Sequence, residues 1–397
     1  MKKLSTRLVR RDFLVASGKG LGAVLMVGAA PFAGAVAQPG SPRRLFAYVG
    51  SRTTRERNAL GDGITVFEID RQSGEWKHVQ TVGNLVNPSF LILDPHFRRL
   101  YAVHGDQSEV SAFTVDPKSG QLAFLNQQST GGKNPVHLTL AADGKYLLVA
   151  NYATGTVATL PIKEDGALDP VKELVSLQGE SGPHKTQQDS SHPHQVRFDR
   201  SGMFLAVPDK GLDRVFTFQV DTESGKLKPT AQASVRAREG SGTRHIDFHP
   251  RLPMAYVANE LGSTVTAYQY DRQVGELQPI QILPTLPPTY TGNNTASAIT
   301  LSRSGNLLFI SNRGHDSIAI FRINPVTGLM SPVEWQSTQG KGPRFATLDP
   351  SGKFMYAANE NGHSIVAFRV DETTGKLAPT GQVIKAGSPV CIAFAEL

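Results

Sequence analysis

Apolar residues along this chain fall in short runs separated by polar turns, and the runs themselves recur. The stretch "RHIDFHPRLPMAYVANELGSTVTAYQYDRQVGEL" (244–277) holds an apolar run, a turn, a second run ending on Asn259, a loop, an alternating run, and a turn with Gly. Runs of this length with period-two alternation, bounded by Gly, Pro, Asn and Asp, predict β-strands rather than helices. The same order of features appears in "FLILDPHFRRLYAVHGDQSEVSAFTVDPKSGQL" (90–122) and in "RFATLDPSGKFMYAANENGHSIVAFRVDETTGKL" (344–377). Further copies begin at Val136, His194 and Ser297. Four short strands repeated about every 45–50 residues are the signature of propeller blades.

Those stretches give six complete units, and a seventh is split between the two ends of the chain. The unit starting at "LFAYVGS" (45–51) lacks an opening strand, and the C-terminal "SPVCIAFAEL" (388–397) matches the missing one. The pattern therefore predicts an all-β, seven-bladed β-propeller with four antiparallel strands per blade. Its last strand completes the first blade, which leaves no open edge.

Repetition separates scaffold from specialisation. The first strand of an antiparallel blade begins where the second ends, so two columns of residues ring one mouth of the channel. The first column reads Ser89, Val136, His194, Arg244, Ser297, Arg344 and Val390, followed by Phe90, His137, Gln195, His245, Ala298 and Phe345. The second reads Ser51, His104, Asn151, Asp209, Asn259, Asn312 and Asn359, where recurring Asn suggests turn chemistry. The residues after it do not recur: Arg52, Gly105, Tyr152, Lys210, Glu260, Arg313 and Glu360. Three long connections, at 52–63, 178–193 and 286–294, are expected to overhang the same mouth, and such loops commonly carry sites. At the opposite mouth Asp94, Asp199, His249 and Asp349 share one column and read as turn formers.

Charge changes the picture less than its total suggests. Of the net +7, residues 1–37 contribute Lys2, Lys3, Arg7, Arg10, Arg11 and Lys19 against Asp12, leaving +2 for the remainder. That is no footprint for nucleic acid. The same segment has "VRRDFL" (9–14), the apolar run "GLGAVLMVGAAPFAGAVA" and an A-x-A site at Ala35–Ala37. It reads as a twin-arginine signal peptide over 1–37, preceding a propeller over 38–397. The alternative, a membrane anchor, fits less well a run rich in Gly and Ala and broken by Pro31. The expected partners are thus the export machinery and a small molecule, in the periplasm or outside the cell, with no stable membrane insertion after cleavage. The single cysteine, Cys391 in "VCIAF", reads as a core residue, and the fold must stand without an intrachain disulfide.

At "SGTRHIDFHP…AYVANELGSTVTAY", with "HPHQVRFDRSG" before it and "ISNRGHDSIAIF" after it, the chain resembles the seven-bladed propeller lactonases. That family includes bacterial 6-phosphogluconolactonase and the fungal carboxy-muconate lactonizing enzyme. The resemblance spans everything after the signal and implies catalytic roles for His194, Arg244, Glu260 and Arg313. It implies no metal and no cofactor. His137, His245, Arg344 and Asp209, in the same columns, are expected to contact substrate. One departure stands out: Thr243 occupies the place of a Pro in "GTRH", which is expected to loosen the presentation of Arg244.

These residue types suit the opening of a lactone. The reaction needs a base for water, donors for the anionic tetrahedral centre and a proton for the departing ring oxygen. Glu260 or His194 serves as base, and Arg244 and Arg313 hold an oxyanion, a carboxylate or a phosphate. Each residue also has a plainer reading. Arg244 and Glu260 form a structural pair across their hairpin, His192, His184 or His137 replaces His194, or Arg313 is an exposed loop residue. Zinc lacks a matching ligand spacing, and a serine triad lacks its G-x-S-x-G elbow. The expected activity is hydrolysis of a sugar lactone, with an unphosphorylated aldonolactone suiting an exported enzyme; a lactonizing enzyme and a non-enzymatic binding platform are the alternatives.

Overall fold

The computed structural model describes residues 43–397, so the expected signal peptide at 1–37 lies outside the described residues. Seven four-stranded antiparallel sheets follow one another around the chain. Blade one pairs Pro389–Glu396 with Leu45–Ser51, then Ile64–Ile69 and Trp76–Val82. Blades two to seven occupy 88–129, 135–176, 197–236, 243–284, 295–337 and 343–385. The only helical turn among the described residues is Arg55–Arg57, in the 52–63 insert.

Each pair of neighbouring blades encloses its own apolar cluster. Ala150, Val157, Val207 and Phe216 join blades three and four, and Tyr256, Val265, Ile310 and Phe321 join five and six. Alternation along the strands supplies both faces of every blade, so each sheet contributes to two clusters. Polar clasps reinforce this packing. The hydroxyls of Tyr48, Tyr101 and Tyr256 donate to the carbonyls of Gly120, Gly166 and Gly328 in the following blade, at 2.9, 3.0 and 2.7 Å. Gly120 lies at φ +71°, and a Cβ there would strike the Phe46 ring, so this turn admits only glycine.

The recurring Asn is a clip rather than a turn former. Asn151, Asn312 and Asn359 donate from Nδ2 to the carbonyls of Thr130, Thr285 and Thr338, which lie in the connections entering their blades. The left-handed residues expected at Asn appear four positions later, at Asp213, Ser263, Asp316 and His363. Blade four departs from the regular pattern too. Its innermost strand shrinks to Arg197–Phe198, preceded by an isolated bridge between Pro193 and Asp209. The shortening leaves the Gln195 side chain to accept from the Ile246 N–H at 2.6 Å.

The ring closes as the repeat predicts. Leu45 pairs with Glu396 and Gly50 with Cys391, and Cys391 is buried between blades one and two. Removing 388–397 would expose one edge of Leu45–Ser51, all seven residues of which are buried. A chain ending at Gly387 is therefore expected to aggregate or to melt well below the full chain. Size-exclusion chromatography with thermal unfolding checks this, and a monomeric product with unchanged melting would contradict it.

Candidate functional site

The site begins with an irregularity that the innermost strands share. In blade two Pro88 pairs with His104 and Phe90 with Val103, so Ser89 is left as an extra residue. The same slip leaves Val136, Arg244 and Arg344 unpaired in blades three, five and seven. Val390 is skipped likewise against Gly50–Ser51. A bulge bends its strand and re-aims the extra side chain. Here Ser89, Val136, Arg244, Arg344 and Val390 all line a single pit, with His194, Arg52, Phe90, His245 and Phe345. The space between them is about 10 Å³, room for a single water-sized group.

One carboxylate organises half of this pit. Glu260, 7% exposed, accepts from Lys210 Nζ at 2.9 Å on Oε1 and from Arg244 Nε at 2.8 Å on Oε2. Arg313 Nη2 stands 3.2 Å from Oε2. These cations come from blades four, five and six. Burial alone would push the Glu260 carboxyl up, but Arg313, Lys210 and Arg244 together outweigh it and hold it well below the usual carboxylate range. Lys210 has its other donors committed as well, to Gln187 Oε1 at 2.6 Å and Tyr152 Oη at 3.1 Å.

A run of rings crosses the same region. Phe90 lies 4.0 Å from His137 between centroids, His137 lies 5.6 Å from His245, and His245 lies 5.2 Å from His194. Burial is the main reason that all three imidazoles are held well below their ordinary value, with Arg244 adding to the effect on each. All three are thus neutral at neutral pH. His245 stands 3.3 Å from Arg244 Nη1 and steadies that guanidinium. His194 Nδ1 has no hydrogen-bond partner in the protein.

The other half of the pit is cationic without full compensation. Arg52, 2% exposed, stands 3.7 Å from Asp106 and 3.8 Å from Glu360. Arg344 is 3.9 Å from Glu360, while Arg57 holds Asp106 through two bonds. Burial, with Arg344 and Arg57 nearby, pushes Arg52 down to about 9, so its guanidinium remains charged at neutral pH. Among the described residues, Lys210, Arg244, Arg313, Arg344, Arg52 and Arg57 pair across the mouth with Glu260, Glu360 and Asp106. Such an excess of buried positive charge favours an anionic ligand or an anion formed in a reaction.

The four residues expected to be catalytic, His194, Arg244, Glu260 and Arg313, meet at one mouth. Arg344 and His245 line it with them, whereas His137 is packed between Phe90 and His245 and does not line the pit. Asp209 is a correction. Its fully buried carboxylate accepts from Ser191 Oγ and from the N–H groups of His192, Gly211 and Leu212, which fixes the 178–193 connection and leaves nothing for substrate. Thr243 is a second correction. Its hydroxyl lies 2.8 Å from the Arg214 carbonyl and 2.9 Å from that of Asp209, so it ties the strand to blade four and does not loosen Arg244. Lys210 and Arg52 were legible only as charges in a non-repeating column, and their contacts with Glu260 and Glu360 make them members of the site.

Comparison with known proteins agrees with this fold. The family profile "Lactonase, 7-bladed beta-propeller" matches residues 46–394. A 6-phosphogluconolactonase of Bacillus subtilis is 34% identical over 304 residues, covering 76% of this chain and 84% of the relative. A 6-phosphogluconolactonase of Formosa agariphila is also 34% identical, covering 75% and 84%. The structure of a periplasmic gluconolactonase, PpgL, from Pseudomonas aeruginosa superimposes with a TM-score of 0.82 at 31% identity, covering 89% of this chain and 100% of that one.

The Glu260 arrangement sets a stability expectation. Glu260→Gln leaves Lys210, Arg244 and Arg313 buried without their counter-charge and is expected to cost about 3–5 kcal/mol. Glu180→Gln removes an exposed pair with Arg236 and should leave the urea midpoint in place. Urea unfolding of both variants measures the contrast; equal midpoints would show that the Glu260 cluster does not hold the mouth together.

Proposed function

The chain belongs to the seven-bladed β-propeller lactonase family and is a lactone hydrolase, and we propose that it opens an unphosphorylated aldonolactone with His194 as the general base. The observation that carries this reading is the division of labour at the mouth. Glu260 is fully engaged by three cations, whereas His194 lines the pit, is neutral and has a buried ring nitrogen with no hydrogen-bond partner. A carboxylate so strongly stabilised as an anion is a poor proton acceptor, and a neutral imidazole is a better one. The hydrolase names of the two curated relatives set the lactonizing and binding-platform readings aside.

In the proposed reaction His194 takes a proton from water as the water oxygen bonds to the lactone carbonyl carbon. The carbonyl electron pair moves onto its oxygen, and Arg244 and Arg344 receive that oxyanion with guanidinium donors. When the centre collapses, the bond to the ring oxygen breaks and that oxygen takes the proton back from His194. The new acid then loses its own proton to solvent and leaves as a carboxylate. Glu260 remains ionised throughout and keeps Arg244 and Arg313 in place. Arg244→Lys is accordingly expected to lower the rate more than retention of charge suggests, because one ammonium cannot serve Glu260 and the oxyanion as a fork does.

Two considerations support the unphosphorylated substrate. The 9–14 twin-arginine pattern suits a periplasmic location, and the Pseudomonas relative at 31% identity is named as a periplasmic gluconolactonase. Hydroxylamine trapping of residual lactone should show faster loss of glucono-lactone than of 6-phosphoglucono-lactone; the reverse order would overturn the substrate assignment.

The base assignment has its own test. A base acts only when unprotonated, and burial with Arg244 lowers the His194 value, so kcat/KM should stay level as pH falls from 7.5 through 6.5. An imidazole at its ordinary value would lose half its activity near 6.5. His194→Gln should lower kcat/KM by about 10²–10⁴. Initial rates corrected for spontaneous hydrolysis decide both points, and a His194→Gln enzyme of normal activity would remove His194 from the mechanism.

A further inference from the structure

Arg52 is a guanidinium held deep in the mouth without the bonds that normally accompany such burial. Its Nε and Nη1 are both buried and have no hydrogen-bond partner. Its neighbouring carboxylates, at 3.7 and 3.8 Å, are beyond hydrogen-bond distance and partly committed elsewhere. Asp106 accepts from Arg57 and from Asn87 Nδ2 at 3.0 Å, and Glu360 is shared with Arg344. Ser89 Oγ is a third buried group at the same wall with no partner. Three such groups converging on one cavity are costly unless a ligand completes them.

The column of residues that follows each second strand makes the case specific. It reads Arg52, Gly105, Tyr152, Lys210, Glu260, Arg313 and Glu360, and only blade two lacks a side chain there. A Cβ at Gly105 would collide with Arg52 Nη1 and come within 2.8 Å of Ser89 Oγ. The missing side chain is the space into which the Arg52 guanidinium reaches. Arg52, Ser89 and Arg344 line the pit together with His194 and Arg244, so they stand in the same wall as the reacting groups.

We propose that Arg52, with Ser89 and Arg344, binds the carboxylate of the ring-opened acid. The inference rests on the reading of this mouth as the aldonolactone site. A carboxylate suits the wall on two grounds. A guanidinium fork matches two carboxylate oxygens, and a narrow pit bounded by Phe90, Val136, Phe345 and Val390 suits a flat, singly charged group better than a tetrahedral phosphate. Arg52 thereby becomes a substrate-contacting residue that holds the reacting carbon between itself and His194.

Calorimetric titration of the full chain with gluconate, and separately with inorganic phosphate, tests the proposal without relying on turnover. The wild type should bind gluconate more tightly than phosphate. Arg52→Gln removes the fork, and Gly105→Ala keeps the charge but displaces it. Each should weaken gluconate binding by about ten- to a hundredfold, the loss of one charge-assisted pair. Thermal unfolding identifies which variants are folded, and Gly105→Ala carries the test should Arg52→Gln fail to fold. No gluconate binding by the wild type, tighter phosphate binding, or unchanged gluconate affinity in a folded variant would overturn the proposal. Lactone turnover is scored separately. Weakened gluconate binding in a protein that opens no aldonolactone supports the carboxylate site while overturning the substrate reading, and brisk turnover with unchanged gluconate affinity does the opposite.

Discussion

The mouth of this propeller depends on a single buried carboxylate. Glu260 draws Lys210, Arg244 and Arg313 from three consecutive blades onto two oxygens. Without a central anion those cations would repel one another in surroundings that screen little. With it they take fixed positions, and charge beyond what Glu260 neutralises is left facing the pit. The same contact therefore accounts for the shape of the site and for the attraction of the pit to anions, while burial, with Arg244, keeps the nearby imidazoles neutral.

The scaffold contributes the means of aiming. A regular innermost strand would alternate its side chains between the two faces of its blade. A bulge after the opening residue breaks that alternation at one position, and the released side chain lines the channel. Four innermost strands open on Pro (Pro88, Pro135, Pro343 and Pro389), which suits the first position of a strand with no neighbour on its inner side, and Pro193 forms the isolated bridge at the same place in blade four. The chemistry at these positions is thus separate from the clusters between blades, and this chain places its ionic side chains there unevenly.

Much of this was legible in the sequence because the repeat acts as its own control. Strand order, blade number and closure by 388–397 follow from alternation and turn residues, and the structure bears them out. His194, Arg244, Glu260 and Arg313 were singled out by the resemblance to the propeller lactonases, and their non-repeating places in the columns agreed with it. What the columns could not convey is where side-chain atoms end. Asp209 and Glu260 occupy adjacent columns and look equivalent as acids, yet one accepts backbone N–H groups and the other accepts cations. Thr243 looked like a weaker substitute for Pro, because a hydroxyl reaching carbonyls of the preceding blade depends on contacts some thirty residues away. Arg52 was legible only as one charge in a non-repeating column, since its importance lies in the partners it lacks.

The closing strand has a consequence for the order in which the protein becomes active. Val390 stands in the wall beside Arg52, and the Arg52 N–H donates to the Ser388 carbonyl at 3.0 Å. Both contacts join the beginning of the propeller to its final residues. A nascent chain still attached to the ribosome has every ionic group of the site in hand yet lacks the segment that seats the first of them. Seating of Arg52 thus waits on 388–397, the same segment that completes the first blade.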